Sequence, residues 1–407
     1  MTTRQEEALP GGAPRLVRDR LTGALDTAFV TWGWFLYAFS PTVPLLAVEQ
    51  GVSRGVAGLH GTAIAVGTVA TGLVSERVTR MIGRRRQVLL GISIASLGVV
   101  ILLIGPSLAA TLTACVVAAI GGNLTLAAAQ TALLAHHGPT GPAAITEGHA
   151  YATAVGLLAP LALGATVAAG YGWRPAVAAT LLPATLGIAL VALLRGDGAL
   201  GRPVVEQRPT GPDVTAHGRL GRTFQALLWA MVAAVAIEFA TTFWASELIR
   251  ERAQAPDGVA TAAVAALLTG MTVSRFATPS LTRRFAPEQL LLASYAIAGC
   301  GWLVLWLATT PPVAIAGLLL AGVGYGTQYP LAIALVVRAA GARPDLGQAR
   351  ALLATGAAAG LSPFLLGAAA DLVGTHLAFL FVPVMLVVAT VAVLTARSSR
   401  LRSGRAA

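Results

Sequence analysis

Apolar stretches of about 20 residues recur along nearly the whole chain, separated by short polar segments. A helix rises about 1.5 Å per residue, so each stretch is long enough to cross a hydrocarbon core of about 30 Å. The runs fall at 24–48, 55–76, 86–106, 108–134, 143–170, 174–195, 222–247, 258–281, 288–309, 311–338, 349–373 and 376–396. They are continuous and rich in Ala, Leu and Val, without the apolar-polar alternation of a lipid-facing barrel strand. The pattern predicts an all-α integral membrane protein with 12 transmembrane helices.

The longest polar interruption is 196–221, rich in Gly, Pro and charge as a linker is. It divides the chain into an N-terminal six-helix bundle with a short tail (1–195), a cytoplasmic linker (196–221) and a C-terminal six-helix bundle with its tail (222–407). A shift of 203 residues pairs Gly67 with Gly270, Thr79-Arg80 with Thr282-Arg283, Gly121 with Gly324, Gly138 with Gly341, Pro160 with Pro363 and Gly164 with Gly367. One gapless offset across several helices predicts two pseudo-symmetric halves. Halves repeated in the same orientation imply an axis along the membrane normal, with a solute site near the midplane between them.

Composition agrees: 56% of residues are hydrophobic and 11% charged, whereas soluble domains carry about a quarter charged residues. The net charge of +11 would suggest nucleic acid in a soluble protein, but here its placement matters more. Every basic residue is arginine. Only Arg54, Arg174, Arg250 and Arg252 fall in loops on one side, and Arg275 falls within helix 8; the others lie in segments on the side of the termini. This positive-inside bias predicts cytoplasmic termini and an even helix count, in a bacterial inner (plasma) membrane, with no nucleic-acid partner. The first 23 residues hold Glu6, Glu7 and Asp19 and lack the apolar core of a signal peptide. Cys115 and Cys300 fall inside helices and are expected to be buried packing residues.

The segment GLVSERVTRMIGRRR (72–86) resembles the signature between helices 2 and 3 of the major facilitator superfamily. Gly72, Glu76 and Arg77 match its first part and Gly83, Arg84 and Arg85 its second, with Glu in place of the usual Asp and about four extra residues before Gly83. The resemblance implies a gating role, in which charged groups at helix ends hold neighbours by bonds that break when the halves rock. Helix 5 carries Gly156, Pro160 and Gly164, similar to the helix 5 motif of antiporters in that family, with Ala159 where Gly is usual. Pro160 removes a helix hydrogen bond, and its small neighbours permit close approach, so a bend with tight packing is expected.

An ionisable side chain inside a membrane helix costs at least about 2.5 kcal/mol on insertion scales, so each marks a candidate. Glu238 lies about 16 residues, roughly 24 Å, into helix 7. The resemblance implies that helices 1, 4, 7 and 10 line a central cavity, which makes Glu238 a candidate for binding a proton or a cationic solute. Asp26, near the start of helix 1, is a second candidate and also complements the helix dipole. The repeat offset places Arg350 opposite Glu147, a candidate gate closing the cytoplasmic side. Arg275 is expected to snorkel or to join the loop network. Cavity candidates are Trp32, Phe35 and Phe39 in helix 1, Asn123 and Gln130 in helix 4, Phe239 and Trp244 in helix 7, and Tyr325, Gln328 and Tyr329 in helix 10. Spacings of three and four put Trp32, Phe35 and Phe39 on one helical face.

The chain has no P-loop, zinc-helix or Gly-x-Ser-x-Gly pattern. His136-His137 is expected to be a solvated loop pair. No enzyme activity, cofactor or metal is therefore expected. The expected function is secondary transport of a small organic solute by alternating access, as a monomer in the lipid bilayer, with proton-coupled efflux of a drug or metabolite favoured. Proton-coupled uptake or facilitation of a sugar or other metabolite is the alternative, and a membrane sensor or enzyme fits least.

Overall fold

A computed structural model describes residues 16–202, 221–340 and 344–403. Most of the predicted linker, Gly341 and the outer ends of the two tails (1–15 and 404–407) lie outside the described residues. Within them the chain forms twelve helical units. In the N-half these are α1 (Arg20–Phe39, continued through the turn Ser40–Thr42 into Val43–Gln50), α2 (Arg54–Ile82), α3 (Arg84–Ile104), α4 (Leu108–His137), α5 (Gly141–Gly156 and Leu158–Ala168) and α6 (Arg174–Ala178 and Leu181–Leu193). In the C-half they are α7 (Arg222–Arg252), α8 (Asp257–Ala262 and Val264–Leu281), α9 (Pro287–Leu307), α10 (Pro311–Ala339), α11 (Pro344–Val373) and α12 (Thr375–Ala378 and Phe381–Ser403).

Eleven of these are long and apolar enough to cross a membrane. The exception is α1, which carries Thr22, Asp26, Thr27 and Thr31 but is held inside the bundle by its buried Leu25, Phe29 and Phe35. Local chemistry sets the helix ends. The carboxylate of Asp19 accepts the Thr22 N–H at 2.9 Å, and Ser53 and Ser107 cap α2 and α4 in the same way. One residue, Gly83, separates α2 from α3. Its φ of +82° is a conformation that a side chain would strain.

The two halves copy each other contact by contact. Gly121 packs against Ala95 as Gly324 packs against Ala298, and Gly67 meets Val116 and Ala119 as Gly270 meets Leu319 and Gly322. Every partner follows the same 203-residue shift. Lipid supplies no hydrophobic drive between helices, so backbones that approach over small residues hold such bundles through van der Waals contact.

The halves meet along two related crossings. Where α2 crosses α11, a Cβ on Gly58 would lie 2.7 Å from the Cα of Phe364 and the carbonyl of Pro363. Where α5 crosses α8, Gly164 abuts the Gly258 carbonyl and Ala262. These contacts run from Gly360, which faces Thr62 and Ala65, to the ends of the helices opposite the termini. Toward the terminal face nothing lies within 4 Å of a Cβ placed on Gly356 or Gly72, and Leu352, Leu353 and Leu73 are exposed. The protein is closed on the far face, and its halves diverge toward the terminal face.

Candidate functional site

Charges bind the far-face seam. Arg54 opens α2 and reaches across to Glu247 and Glu251 on α7, with its Nη2 at 3.0 Å from Glu247 Oε1. Glu247 also receives Arg250 at 2.7 Å and is 96% buried. Asp371, at the end of α11, accepts the backbone N–H groups of Arg54 at 2.8 Å and Gly55 at 2.7 Å. A carboxylate of the C-half thus caps a helix of the N-half. Trp244 is fully buried and donates its indole N–H to the Pro363 carbonyl at 2.8 Å.

On the terminal side of this seam a cavity of about 420 Å³ lies between the halves. The N-half contributes Trp32, Ile64, Thr68, Asn123 and His149, and the C-half contributes Glu238, Phe239, Phe243, Arg275 and Tyr329. Arg275 Nη2 is 3.9 Å from Glu238 Oε1, and Arg275 Nε donates to the Gly326 carbonyl at 3.2 Å. At this separation and an effective dielectric of about 20, opposite charges attract by about 4 kcal/mol. Either partner therefore responds strongly when the other is neutralised or recruited elsewhere. Around the pair the walls are aromatic and aliphatic, which suits a solute with an apolar body and a polar end.

Of the aromatic residues on one face of α1, Trp32 lines the cavity. Phe35 and Phe39 stack behind it with ring centroids 5.5 Å apart at each step, and both are buried. Asn123, Phe239 and Tyr329 also line it, and Asn123 donates to Thr68 at 3.0 Å. Gln130 sits near the terminal face, 3.4 Å from His149. Tyr325 is buried with its hydroxyl 3.2 Å from Thr241. Gln328 is buried with neither amide atom hydrogen-bonded. Asp26 is half-buried, and its Oδ1 has no hydrogen-bond partner.

Glu147 is held by Arg18, at 2.5 and 2.9 Å, and by the Tyr151 hydroxyl at 2.9 Å. Arg350 is exposed and not among its partners. Along the loop signature, Gly72 is exposed, and Glu76 has an 87% exposed side chain with Arg80 at 3.9 Å. Arg77 is exposed too. Arg84 donates to the Ala199 carbonyl at the start of the linker, and Arg85 to those of Val191 and Ala192 at the end of α6, so none of these bonds reaches the C-half. In α5, Leu157 lies between the two helical segments three residues before Pro160, keeps helical torsions and donates its N–H to the Thr153 carbonyl at 3.0 Å, with Gly156 against the Tyr37 ring.

Three expectations are corrected. Arg275 turns into the cavity toward Glu238 rather than snorkelling. Cys300 is exposed on α9 rather than buried. His136 and His137 belong to the last turn of α4, with Asp19 Oδ2 at 2.6 Å from His136 and Thr22 Oγ1 at 2.8 Å from His137. Burial pushes the Asp19 carboxyl up, but hydrogen bonds from Thr22 and His136 outweigh this and hold it down at about 2. The seam residues Arg54, Glu247 and Asp371 read in sequence as ordinary helix-end charges. The repeat held a signal for them: the shift that joins Gly164 to Gly367 also joins Gly55 to Gly258, and these four glycines mark both crossings.

Among solved structures, a bacterial homologue of the human lysosomal transporter Spinster, in an inward-facing and unoccupied conformation, superposes with a TM-score of 0.73 at 14% identity, covering 94% of this chain and 97% of that one. The nucleoside transporter NupG gives 0.70 at 12% identity, covering 93% and 98%. A bacterial homologue of the human drug peptide transporters PepT1 and PepT2 gives 0.73 at 16% identity, covering 95% and 99%. No curated protein matches the sequence. The profile of the Major Facilitator Superfamily matches residues 26–345. That match spans most of the chain, and with the twelve-helix, two-half architecture it places this protein in the Major Facilitator Superfamily of membrane transporters.

Proposed function

We propose that this protein carries a small amphipathic organic solute across the plasma membrane by alternating access, coupled to protons at Glu238. The observation that carries the reading is the Glu238-Arg275 pair facing a cavity lined by both halves and divergent toward the terminal face. The arginine bias supports cytoplasmic termini, so the conformation described is inward-facing. The far-face seam then separates the cavity from the outside, and the halves rock about the cavity. One chain supplies both sides of the cavity, in keeping with a functional monomer.

Export follows if the solute is a cation. A cation and a proton compete for Glu238, so each expels the other, which is exchange. Arg275 favours a second reading, proton-coupled uptake of an anion. An anion held by Arg275 strips Glu238 of its partner and favours its protonation, so the two bind together. Nucleosides and peptides, the cargo of the NupG and PepT-like neighbours, join lipophilic cations and organic acids in the first solute panel. The test uses purified protein in liposomes with a pH gradient of either sign. Glu238→Gln should abolish gradient-driven accumulation in either scheme, with solute exchange continuing if the solute is an anion held by Arg275 and lost if it is a cation held by Glu238. Undiminished accumulation by that variant would reject the coupling role.

A further inference from the structure

We infer that a second site, outside the transport cavity, binds a phosphate-bearing anion at the junction of α2, α3 and the end of α6. A cavity of about 500 Å³ opens there, lined by Gly83, Arg85, Arg86, Gly196, Leu200 and Arg202. Its lining is dominated by cationic side chains. Among the described residues no carboxylate lies within ion-pair distance of Arg84, Arg85, Arg86 or Arg202, and the nearby Asp197 makes no ion pair either. The three guanidinium groups that line this cavity, Arg85, Arg86 and Arg202, have no carboxylate partner among the described residues and repel one another, a cost that a bound anion removes.

The hydrogen bonds already made show which donors remain. Arg84 uses Nη1 on the Ala199 carbonyl, and its buried Nε has no partner. Arg85 uses Nε and Nη2 on the carbonyls that end α6, which fixes its position at the wall. Arg86 and Arg202 are exposed. The turn is rigid, because the Arg84 N–H bonds to the Gly201 carbonyl at 3.3 Å and Gly83 lies against Arg202. The 21-residue α3 starts at this turn with no side-chain cap, so its N-terminal dipole adds to the same potential. Arginine's planar fork matches phosphate oxygens, so phosphate is the anion these groups recognise best.

The source is set by what borders the cavity. Met81 is 62% exposed and Leu193 is 84% exposed on either side of it, and Leu90 lies one turn along α3 from Arg86, also exposed. Apolar residues open to lipid beside a basic pocket place the phosphate at the headgroup level, with acyl chains along α3 and α6. The ligand is an anionic phospholipid, on the cytoplasmic side in the orientation proposed above.

The test compares wild type with the double variant Arg86→Gln/Arg202→Gln, whose side chains are exposed and lie outside the transport cavity. Native mass spectrometry of the full chain would titrate phosphatidylglycerol, phosphatidylcholine and glycerol 3-phosphate, and melting in phosphatidylcholine nanodiscs would verify that the variant is folded. Each arginine near an anionic lipid surface contributes about a factor of five, so the double variant should bind phosphatidylglycerol about thirtyfold more weakly, with phosphatidylcholine unaffected. Equal phosphatidylglycerol binding by a folded variant and wild type would overturn the site. Binding of glycerol 3-phosphate with no preference for phosphatidylglycerol would overturn the lipid assignment.

Discussion

The Asp371 carboxylate caps α2 at Gly55, 2.7 Å from its backbone nitrogen, although the two residues stand 316 positions apart and in different halves. In the alternating access proposed above, opening the far face would break this bond, because it joins the two halves. The first helical N–H groups have no partner of their own within α2, so opening leaves them and a carboxylate to water.

Asp371→Ala should therefore shift the protein toward the outward-open state. Losing a helix cap costs about 1 kcal/mol, or about fivefold in the equilibrium. The measurement is the external labelling rate of a cysteine at Ser246, a buried residue of the seam, in a background lacking Cys115 and Cys300. A rate equal to that of the parent would exclude Asp371 from the gate.

Gly58→Leu should act in the same direction by sterics. A Cβ there already falls 2.7 Å from α11 backbone atoms, and overpacking costs typically about 1–3 kcal/mol. The variant should insert normally, label faster from outside than the parent, and transport more slowly because the far face closes poorly. Retained transport with unchanged labelling would mean that α2 and α11 do not need this close approach.

These contacts show which parts of the molecule its sequence discloses. Helix number and the two halves are legible because hydrocarbon demands long apolar runs, and these repeat at one offset. Glu238 is legible because a charge at that depth is costly. Rotation about each helix axis is not. A membrane helix is apolar on every face, so the periodicity that orients a soluble helix is lost. That is why Arg275 looks like a snorkelling residue until α8 is placed against α7 and α10. Glu247 and Asp371 are hidden for a different reason: acids near helix ends are common, and only the partner across the seam distinguishes them.

Arg275→Gln separates the two coupling schemes. If the solute is an anion paired with Arg275, its binding should weaken at least tenfold while Glu238 protonates more readily. If the solute is a cation held by Glu238, its affinity should rise as the competing guanidinium is removed. Binding to detergent-solubilised protein over a range of pH measures this. An affinity unchanged at every pH would show that the solute engages neither charge.

Asp19 fixes the start of α1. Its carboxyl is held at about 2 against an ordinary value of 3.8, so its stabilising contribution is complete above about pH 4. That contribution is lost as the pH falls through about 2. Asp19→Ala should cost about 1 kcal/mol at pH 7, as an N-cap loss does. Thermal melts in detergent check this, and an unchanged midpoint would show that His136 and Thr22 hold the helix end without the carboxylate.

Glu147 offers a test of the closing motion on the terminal face. In the conformation described, Arg18 grips it at 2.5 and 2.9 Å, while Arg350, its counterpart under the 203-residue shift, is exposed. Rocking the halves to close this face brings the starts of α5 and α11 together, and Arg350 can then replace Arg18. Surface pairs of this kind contribute at most about 1 kcal/mol, so the exchange is nearly balanced and suits a gate. Single reversals Glu147→Arg and Arg350→Glu should each slow transport several-fold, and the double reversal should restore most of it. Arg18→Gln should instead favour closure, because it releases Glu147 for Arg350. Crosslinking between cysteines at 147 and 350 should be rare in the inward-facing state and should increase in the Gly58→Leu variant. If the double reversal is as slow as either single change, Glu147 and Arg350 do not meet during the cycle.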